Sequence, residues 1–454
     1  RDWRRRSADV GGLHLALASS EAETTLGFGA QGQGWMGGEP GAVETIYAEL
    51  LSDMYTSTLN SVNDNSLEAP PPPTPDSVRS RLIWSLSRWN FEPHKLSESE
   101  VLACTLLLFE TLFRIQGMEE VIPLTMHQIT AFIHHLRRIY RLENTYHNFA
   151  HALDVLHATQ SYLKSAGAVP PPTVLFDPPA RRWVPEKKFN SGSLMASLGL
   201  RELFVLYVAA IGHDVGHPGF TNVFMKNAQA PLSVLFNTGS ALEHMHCQLL
   251  LRVMRVHGFA VLLDDPQHGA HLRKILLQSV LATDMGVHKE FMERLQAVVD
   301  GEMGSICLRQ VVLCQAILKN ADISNPTRPF LVSKHWASAL MQEWSAQAHL
   351  EASYHLQPTV MSSSDPIKEA DSQIFFITNF ARPLLELTQR AVPEMQMYTT
   401  HCRMNLQTWQ RRRKELMREQ AAASMTPLPT ATPSSPAPVS PRHDYHTAFP
   451  LTLP

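Results

Sequence analysis

One stretch of the sequence joins a long apolar run to a group of ionisable side chains: Leu203-Phe204-Val205-Leu206-Tyr207-Val208-Ala209-Ala210-Ile211-Gly212-His213-Asp214-Val215-Gly216-His217-Pro218. The run predicts a helix over 200–213 that is apolar on every face and therefore buried. A buried imidazole or carboxylate without a partner is costly, so the polar end of this helix must find partners. The stretch therefore predicts a core helix that delivers His213, Asp214 and His217 to a site.

Two other segments supply side chains of the same kinds. Within Tyr146–Val155 we predict a helix on which His147 and His151 lie one turn apart, with Asp154 three residues further on the same stripe. The spacing of apolar residues in 311–322 places Asp322 on or beside the apolar face of another helix. An ionised carboxylate in that position requires a cation or a strong donor.

Each segment also has an ordinary structural interpretation, because buried histidines are often core residues and aspartates near helix ends are often caps. Taken together, they favour a metal site. Imidazole nitrogens and carboxylate oxygens without thiolates suit zinc, manganese, iron or magnesium. Two histidines and two aspartates leave coordination positions open for water, which indicates hydrolysis rather than a structural site.

Composition excludes several classes of protein. The 454 residues carry 39 Lys+Arg against 42 Asp+Glu, a net charge of −3, so a basic nucleic-acid-binding protein is not expected. The longest apolar run is about half of the ~20 residues that a membrane span needs, so no span is expected. The five cysteines are scattered and form no CxxC pair, which indicates neither a disulfide framework nor a thiolate zinc site and favours the reducing cytoplasm.

Helical periodicity between the two ends predicts an all-α protein, and Ser97-x-x-Glu100 predicts a capping box. We predict a low-complexity, Pro-rich, partly disordered segment over 1–77, one catalytic domain over 78–417 and a disordered Pro-rich tail over 418–454. We expect residues 1–75 and 427–454 to be removable without unfolding that domain. The pattern over 371–390 predicts one continuous helix.

Five motifs together resemble the class I cyclic nucleotide phosphodiesterases in order and approximate spacing, over about 82–390. They are Tyr146–Val155, His213–Gly219, Ala282–Met285, Asn320–Pro326 and Ser372–Phe376. Gly216 and the long Pro-rich insert over 168–193 make the chain most similar to the fungal high-affinity cyclic AMP phosphodiesterases. The resemblance implies a single compact multi-helix catalytic domain of the HD superfamily type.

The resemblance also implies the metal ligands. It assigns His151, His213, Asp214 and Asp322 to a tightly bound Zn²⁺, with Asp214 bridging to a second ion, Mg²⁺ or Mn²⁺. Two such ions polarise phosphoryl oxygens and activate water as the nucleophile. The departing 3′ oxygen then needs a proton, and the family's candidate for this general acid is His147.

Further roles follow from the same resemblance. Glu243 is assigned to catalysis beside His147, while His217, Thr283 and Asp284 are expected to hydrogen-bond metal-bound waters and orient the ligands. The substrate-binding residues are expected to be Tyr146, Asn325, Leu340, Gln373 and Phe376. Gln373 would hydrogen-bond the purine, and Phe376 and Leu340 would clamp its faces; Ile377 and Phe380 share their predicted helical face, and Ser333 and Trp344 are expected at the pocket rim.

The sequence therefore predicts metal-dependent hydrolysis of 3′,5′-cyclic AMP to the 5′-monophosphate, ending a cyclic nucleotide signal. Hydrolysis of cyclic GMP stays open, because a glutamine can present its amide either way round. One alternative is another HD-type metallophosphohydrolase, acting on nucleoside triphosphates or alarmones, but this gives no reason for Gln373-x-x-Phe376. Another is an inactive cyclic-nucleotide-binding protein, which the complete ligand set and His147 argue against. Oligomeric state stays open.

Overall fold

The computed structural model describes residues 26–28, 35–37, 54, 57–64, 74–185, 194–230, 232–233, 236, 239–302, 304–361 and 365–425. The disorder predicted for the remainder of 1–77 and for 426–454 lies outside these residues. Among them, no helix is long and apolar enough to cross a membrane.

The described chain is built almost entirely from α-helices, which confirms the predicted all-α class. After a helical stretch over residues 57–63, the next eight are α1 Asp76–Leu86, α2 Glu98–Phe113, α3 Met118–Val121, α4 Met126–Ile139, α5 Phe149–Ser165, α6 Leu200–Gly212, α7 Asn222–Asn227 and α8 Ala241–Val256. The others are α9 Ala260–Leu263, α10 Gly269–Leu281, α11 His288–Val299, α12 Ile306–Asp322, α13 Phe330–Ser353, α14 Pro366–Phe376, α15 Arg382–Ala391 and α16 Gln396–Met425. Among the described residues, the named strands are a short antiparallel pair, β1 Leu26–Phe28 and β2 Trp35–Gly37.

Side-chain caps fix where several helices begin. The predicted box at α2 is present, with the Ser97 N–H donating to Glu100 Oε2 at 2.9 Å. Asn148 caps α5, where its Oδ1 accepts from the N–H groups of Ala150 and His151 at 3.0 and 3.1 Å. These bonds satisfy backbone donors that a helix leaves unpaired at its N-terminus.

Helix α6 forms the centre of the core, as its apolar sequence predicts. Every residue from Leu203 to Ile211 is at most 3% exposed, and the helix packs against α5, α10 and α12. Burial of each large side chain contributes ~1.5–3 kcal/mol. Because the core surrounds α6, the position of His213 at its end is fixed by the packing of the whole domain.

Two helix boundaries differ from the sequence prediction. The helix predicted over 371–390 is interrupted by a π-helical turn, Ile377–Ala381, between α14 and α15. Pro383 follows that turn, and a proline removes an N–H and clashes with the carbonyl four residues earlier, which a wider turn accommodates. In addition, α16 continues to Met425, past the predicted domain end at 417.

Part of the predicted low-complexity segment packs on the domain. Residues 57–63 are helical, and Val62 is fully buried in the core. His135 Nε2 donates to the Ser61 carbonyl at 3.0 Å, and Arg141 Nη2 donates to Thr58 Oγ1 at 3.1 Å. Gly216 lies between His213 and His217 in the sequence, and a Cβ built on it would be 3.0 Å from the Thr58 methyl. These contacts argue against the expectation that residues 1–75 are dispensable.

We therefore predict different outcomes for two N-terminal truncations. Removal of residues 1–50 should leave the urea midpoint nearly unchanged. Removal of residues 1–75 should lower the free energy of unfolding by about 2–4 kcal/mol, because the apolar contacts of Leu59 and Val62 are lost. Equal midpoints for the two truncated proteins would show that the 57–63 helix contributes nothing to stability.

Candidate metal centre and substrate cavity

Four side chains from three helices converge at the end of α6. His151 lies in the first turn of α5, His213 and Asp214 follow α6, and Asp322 is the last residue of α12. One ligand atom from each lies within 4.8 Å of all the others. His151 Nε2 is 3.2 Å from Asp322 Oδ1, and His213 Nε2 is 3.1 Å from Asp214 Oδ2. The four side chains that the sequence assigned to a metal are thus brought together.

The hydrogen bonds of His213 determine which of its nitrogens faces the cluster. Its Nδ1 donates to the Ala210 carbonyl at 3.0 Å, so Nε2 presents a lone pair. His213 Nε2 and Asp214 Oδ2 are both buried without a hydrogen-bond partner. When the ring is neutral these are two acceptor atoms 3.1 Å apart, and they repel one another unless a proton or a metal ion lies between them. The donor set and these orphaned atoms therefore fit a divalent cation with nitrogen and oxygen ligands.

The charges in this cluster stabilise one another despite burial. Burial disfavours the imidazolium form of His213, but Asp214 and Asp322 raise its pKa well above the ordinary value. Burial also opposes the carboxylate form of Asp214, yet His213 holds the pKa of Asp214 well below its usual range. The cluster therefore favours carboxylates that face positive charge, which is the electrostatic requirement of a cation site.

Two predictions for the Tyr146–Val155 segment are wrong. His147 precedes α5, because Asn148 is its N-cap, so His147 and His151 do not share a helical stripe. Asp154 does not face the cluster either: its Oδ1 accepts from Arg328 Nη2 at 2.8 Å in a fully buried ion pair. Asp154 therefore neutralises Arg328 and has a structural role.

His147 forms an ion pair with Glu343 of α13, a residue that the sequence analysis missed. Its Nδ1 contacts Glu343 Oε1, while Glu343 Oε2 accepts from the N–H groups of Tyr146 and His147 at 3.0 and 3.1 Å. Burial disfavours the imidazolium, but Glu343 raises the pKa of His147 to about 9. The available signal was a carboxylate on the buried stripe of α13, together with Trp336 and Ala339.

The predicted His217 stacks on His147, with ring centroids 3.9 Å apart and planes 18° apart. With Glu343, these side chains are close enough to hold a metal by distance alone. However, the in-plane lone pairs of stacked rings run nearly parallel and do not converge on one ion. The stacking of His147 and His217 therefore does not fit a metal site.

The opposite wall of the site carries Glu243, Thr283 and Asp284. Glu243 Oε2 accepts from Asn222 Nδ2 at 2.8 Å; burial and, secondarily, Asp284 raise the pKa of Glu243 to about 8. Thr283 Oγ1 donates to the Val280 carbonyl at 2.8 Å, which fixes its hydroxyl. The sequence analysis missed His246, whose Nδ1 donates to the Val215 carbonyl at 2.8 Å and whose Nε2 lies 3.9 Å from Asp214 Oδ1.

A cavity of about 850 Å³ opens in front of this cluster. Trp344 lines it, as predicted. So do all five side chains predicted to bind substrate, which are Tyr146, Asn325, Leu340, Gln373 and Phe376. Ile377 is instead fully buried in the core, where the π-helical turn begins. Ser333 is also fully buried within α13, so its predicted position at the rim is wrong.

The polar groups of the cavity differ in their freedom. Asn325 Nδ2 donates to the Tyr146 hydroxyl at 2.9 Å, which leaves Asn325 Oδ1 buried without a partner. Within the described part of the chain, no hydrogen bond holds the amide of Gln373 in one orientation. The cavity thus offers a ligand the buried amide oxygen of Asn325 and the amide of Gln373, which can turn.

The comparisons with known proteins point to one family. The family described as 3′5′-cyclic nucleotide phosphodiesterase matches residues 146–402, which is more than half of the chain. The 3′,5′-cyclic-nucleotide phosphodiesterase regA of Dictyostelium discoideum is 26% identical over 374 residues, covering 81% of this chain and 42% of regA. The high affinity cGMP-specific 3′,5′-cyclic phosphodiesterase 9A of Drosophila melanogaster is 26% identical over 307 residues, covering 67% of this chain and 18% of that protein.

Solved structures agree with this match. The crystal structure of yeast caPDE2 has a TM-score of 0.64 and 27% sequence identity, and the alignment covers 80% of this chain and 73% of that chain. The chain spans less than half the length of the curated relatives named above. The similarity therefore covers only part of those proteins.

We predict that Asp322→Ala weakens metal binding by more than about 100-fold, because it removes an anionic atom at the centre of the cluster. Metal content after dialysis, measured by elemental analysis, checks this. The matched control is Asp284→Ala, which removes a carboxylate from the same cavity but not from the four-residue cluster. Full metal content in Asp322→Ala would contradict the assigned ligand set.

Proposed function

The chain belongs to the 3′5′-cyclic nucleotide phosphodiesterase family, and from this membership we propose that it hydrolyses 3′,5′-cyclic AMP to the 5′-monophosphate. One observation carries the proposal. The His147–Glu343 pair lines the same cavity as Gln373 and Phe376, and so do Asp214 and Asp322, the two carboxylates of the four-residue cluster. A proton donor, a metal site and an apolar purine slot therefore open onto one space.

We assign a Zn²⁺ ion to His151, His213, Asp214 and Asp322, and a Mg²⁺ or Mn²⁺ ion to a second position at Asp214. When bound, two such ions polarise the phosphoryl oxygens and activate water for attack on phosphorus. Around that position, His217, Thr283 and Asp284 provide polar atoms to orient water. These assignments follow the donor chemistry of the cluster and the motifs shared with the family.

His147 is the proposed general acid. Its Nδ1 is engaged by Glu343, so Nε2–H is the proton that can face the 3′ oxygen. With its pKa raised to about 9, His147 is protonated at neutral pH, as an acid must be before transfer. Breakage of the bond from phosphorus to the 3′ oxygen would then be coupled to transfer of this proton to that oxygen.

Glu243 is proposed to assist from the opposite wall. Because the pKa of Glu243 is raised to about 8, this carboxyl can hold a proton near neutral pH. A nearby cation or base would lower that pKa or accept the proton, and the carboxyl would then release it. Its hydrogen bond from Asn222 fixes its position. We therefore expect Glu243 to exchange protons with solvent-derived groups rather than to bind metal directly.

The purine would lie between Phe376 and Leu340, whose apolar side chains line the slot. Asn325 Oδ1 has no partner and can accept from the exocyclic amine of adenine, whereas it would face the acceptor oxygen of guanine. Gln373 can turn its amide to suit either purine. Asn325 therefore favours cyclic AMP.

The five cysteines are unpaired, which suits action in the reducing cytoplasm.

The direct test is a side-by-side measurement of cyclic AMP and cyclic GMP hydrolysis by the purified chain, with and without a chelator. We expect chelator-sensitive release of 5′-AMP, with kcat/KM for cyclic AMP at least tenfold above that for cyclic GMP. Deoxynucleoside triphosphates serve as the control substrates. Turnover of those triphosphates in place of cyclic nucleotides would favour a different phosphohydrolase, and nucleotide binding without turnover would favour an inactive binding protein.

We predict that His147→Asn keeps its metal and slows cyclic AMP hydrolysis by ~10²–10⁴, the usual effect of losing a general acid. The defect should shrink for the analogue in which sulfur replaces the bridging 3′ oxygen, because thiols, with pKa near 8.5, leave with little proton donation. His213→Asn is the matched control and should impair both substrates alike. An equal defect of His147→Asn on both substrates would remove His147 from the role of acid.

We also predict that Asn325→Asp retains hydrolysis of cyclic AMP within about threefold while hydrolysis of cyclic GMP falls further, since aspartate keeps an acceptor and removes the amide donor. The measurement is kcat/KM for both nucleotides. If the adenine amine is not read here, the variant will change both values in parallel; a selective loss of cyclic AMP turnover would show that the amide donor reads the substrate.

A further inference from the structure

Asn144 lies in the irregular segment between α4 and α5, immediately before the site residues of that segment. Its side chain is buried, with 8% exposure, although the segment around it is polar. It is neither a member of the metal cluster nor part of the cavity lining. A buried amide in this place needs partners, and its partners indicate its role.

The Asn144 amide joins the two segments that carry His147 and His217. Nδ2 donates to the His147 carbonyl and to the His217 carbonyl, both at 2.9 Å. An amide nitrogen has two hydrogens, so both are used. The opposite amide orientation would place Oδ1 against two carbonyl oxygens, so the contacts themselves determine which atom is the nitrogen.

The surroundings of Asn144 allow little movement. Gly219 has φ +83°, and a Cβ on it would lie 2.8 Å from Asn144 Oδ1, so the loop fits closely around this amide. The Gly219 N–H donates to His217 Nδ1 at 3.0 Å and holds the ring that stacks on His147. The Asn144 carbonyl accepts from Nδ2 of Asn148, the cap of α5, at 2.8 Å.

We infer that Asn144 is a positioning residue for proton transfer. It fixes the backbone of His147 to the loop that follows Asp214, and so sets the placement of the acid relative to the metal cluster. The inference rests on the proposed function, because it concerns the acid of that reaction. Asn144 does not touch the reacting atoms, and its effect passes through the two backbone carbonyls.

The test is Asn144→Asp, which has nearly the same shape but places an acceptor against the two carbonyls. We expect kcat for cyclic AMP to fall about 10- to 100-fold, the scale of a small misplacement of a catalytic group, with KM within about twofold and metal content unchanged. The defect should shrink for the bridging 3′-sulfur analogue, as for His147→Asn. Asn144→Ser, which keeps one donor, should show a smaller defect of the same kind and serves if Asn144→Asp does not fold.

The chain offers a matched control in Asn405 of α16. Its side chain is 6% exposed, and its Nδ2 donates to the carbonyls of Pro326 and Arg328, both at 2.7 Å. Asn405→Asp should lower the melting temperature about as much as Asn144→Asp does. Both substitutions break the hydrogen bonds from one side-chain amide to two backbone carbonyls. It should not produce a defect that depends on the leaving group.

The outcomes separate the two proposals. If the wild-type chain does not hydrolyse cyclic nucleotides, the proposed function fails. If the wild type is active but the Asn144 variants lose metal, or slow both substrates equally, Asn144 only supports folding and the inference is overturned. A kcat defect that shrinks for the sulfur analogue, with metal content and KM retained, would support it.

Discussion

The convergence of four electron-pair donors in a buried place is the constraint on which the rest of the structure depends. His151, His213, Asp214 and Asp322 bring their ligand atoms within 4.8 Å of one another, and two of these atoms have no hydrogen-bond partner. Such an arrangement is costly unless a cation is shared, and it is kept together only by a rigid surround. The apolar packing of α6 supplies that rigidity, and the bond from His213 Nδ1 to Ala210 turns the ring toward the cluster.

The sequence could predict those features that depend on local pattern. The uninterrupted apolar run predicted α6 and its polar end, and Ser97-x-x-Glu100 predicted a cap that is present. The placement of His147 failed because Asn148 caps the N-terminus of α5, so the helix begins only after it and His147 lies before the helix. Glu343 could not be paired with His147, since 196 residues separate them and only the packing of α13 brings them together. The π-helical turn over Ile377–Ala381 was equally hidden, because one wider turn leaves no periodic signal of its own.

The acid and the metal cluster belong to separate chain segments, so their relative position must be set by contacts between those segments. Glu343 holds His147 from α13, while Asn144 joins the His147 backbone to the His217 loop. In the same loop, a Cβ built on Gly216 would lie 3.0 Å from the Thr58 methyl. Gly216 has φ +77°, a conformation in which a side chain is strained, so this loop depends on its neighbours on both sides. The helix over residues 57–63 and Asn144 therefore both contact the same loop.

The charges of the site also link metal binding to substrate binding. Asp214, Asp322, Glu243 and Asp284 face the cavity, whereas the buried Lys319 ammonium is turned to the carbonyls of Ala282 and Asp284 at 2.6 and 3.2 Å. Burial raises the pKa of Glu243 to about 8, and the neighbouring Asp284 adds to this rise, so the carboxylates on this wall oppose further negative charge. A cyclic phosphodiester is itself an anion, and such a wall would repel it. Divalent cations at the cluster would turn this repulsion into attraction. Bound metal must therefore strengthen the binding of the cyclic nucleotide, and the bound nucleotide must strengthen the binding of metal.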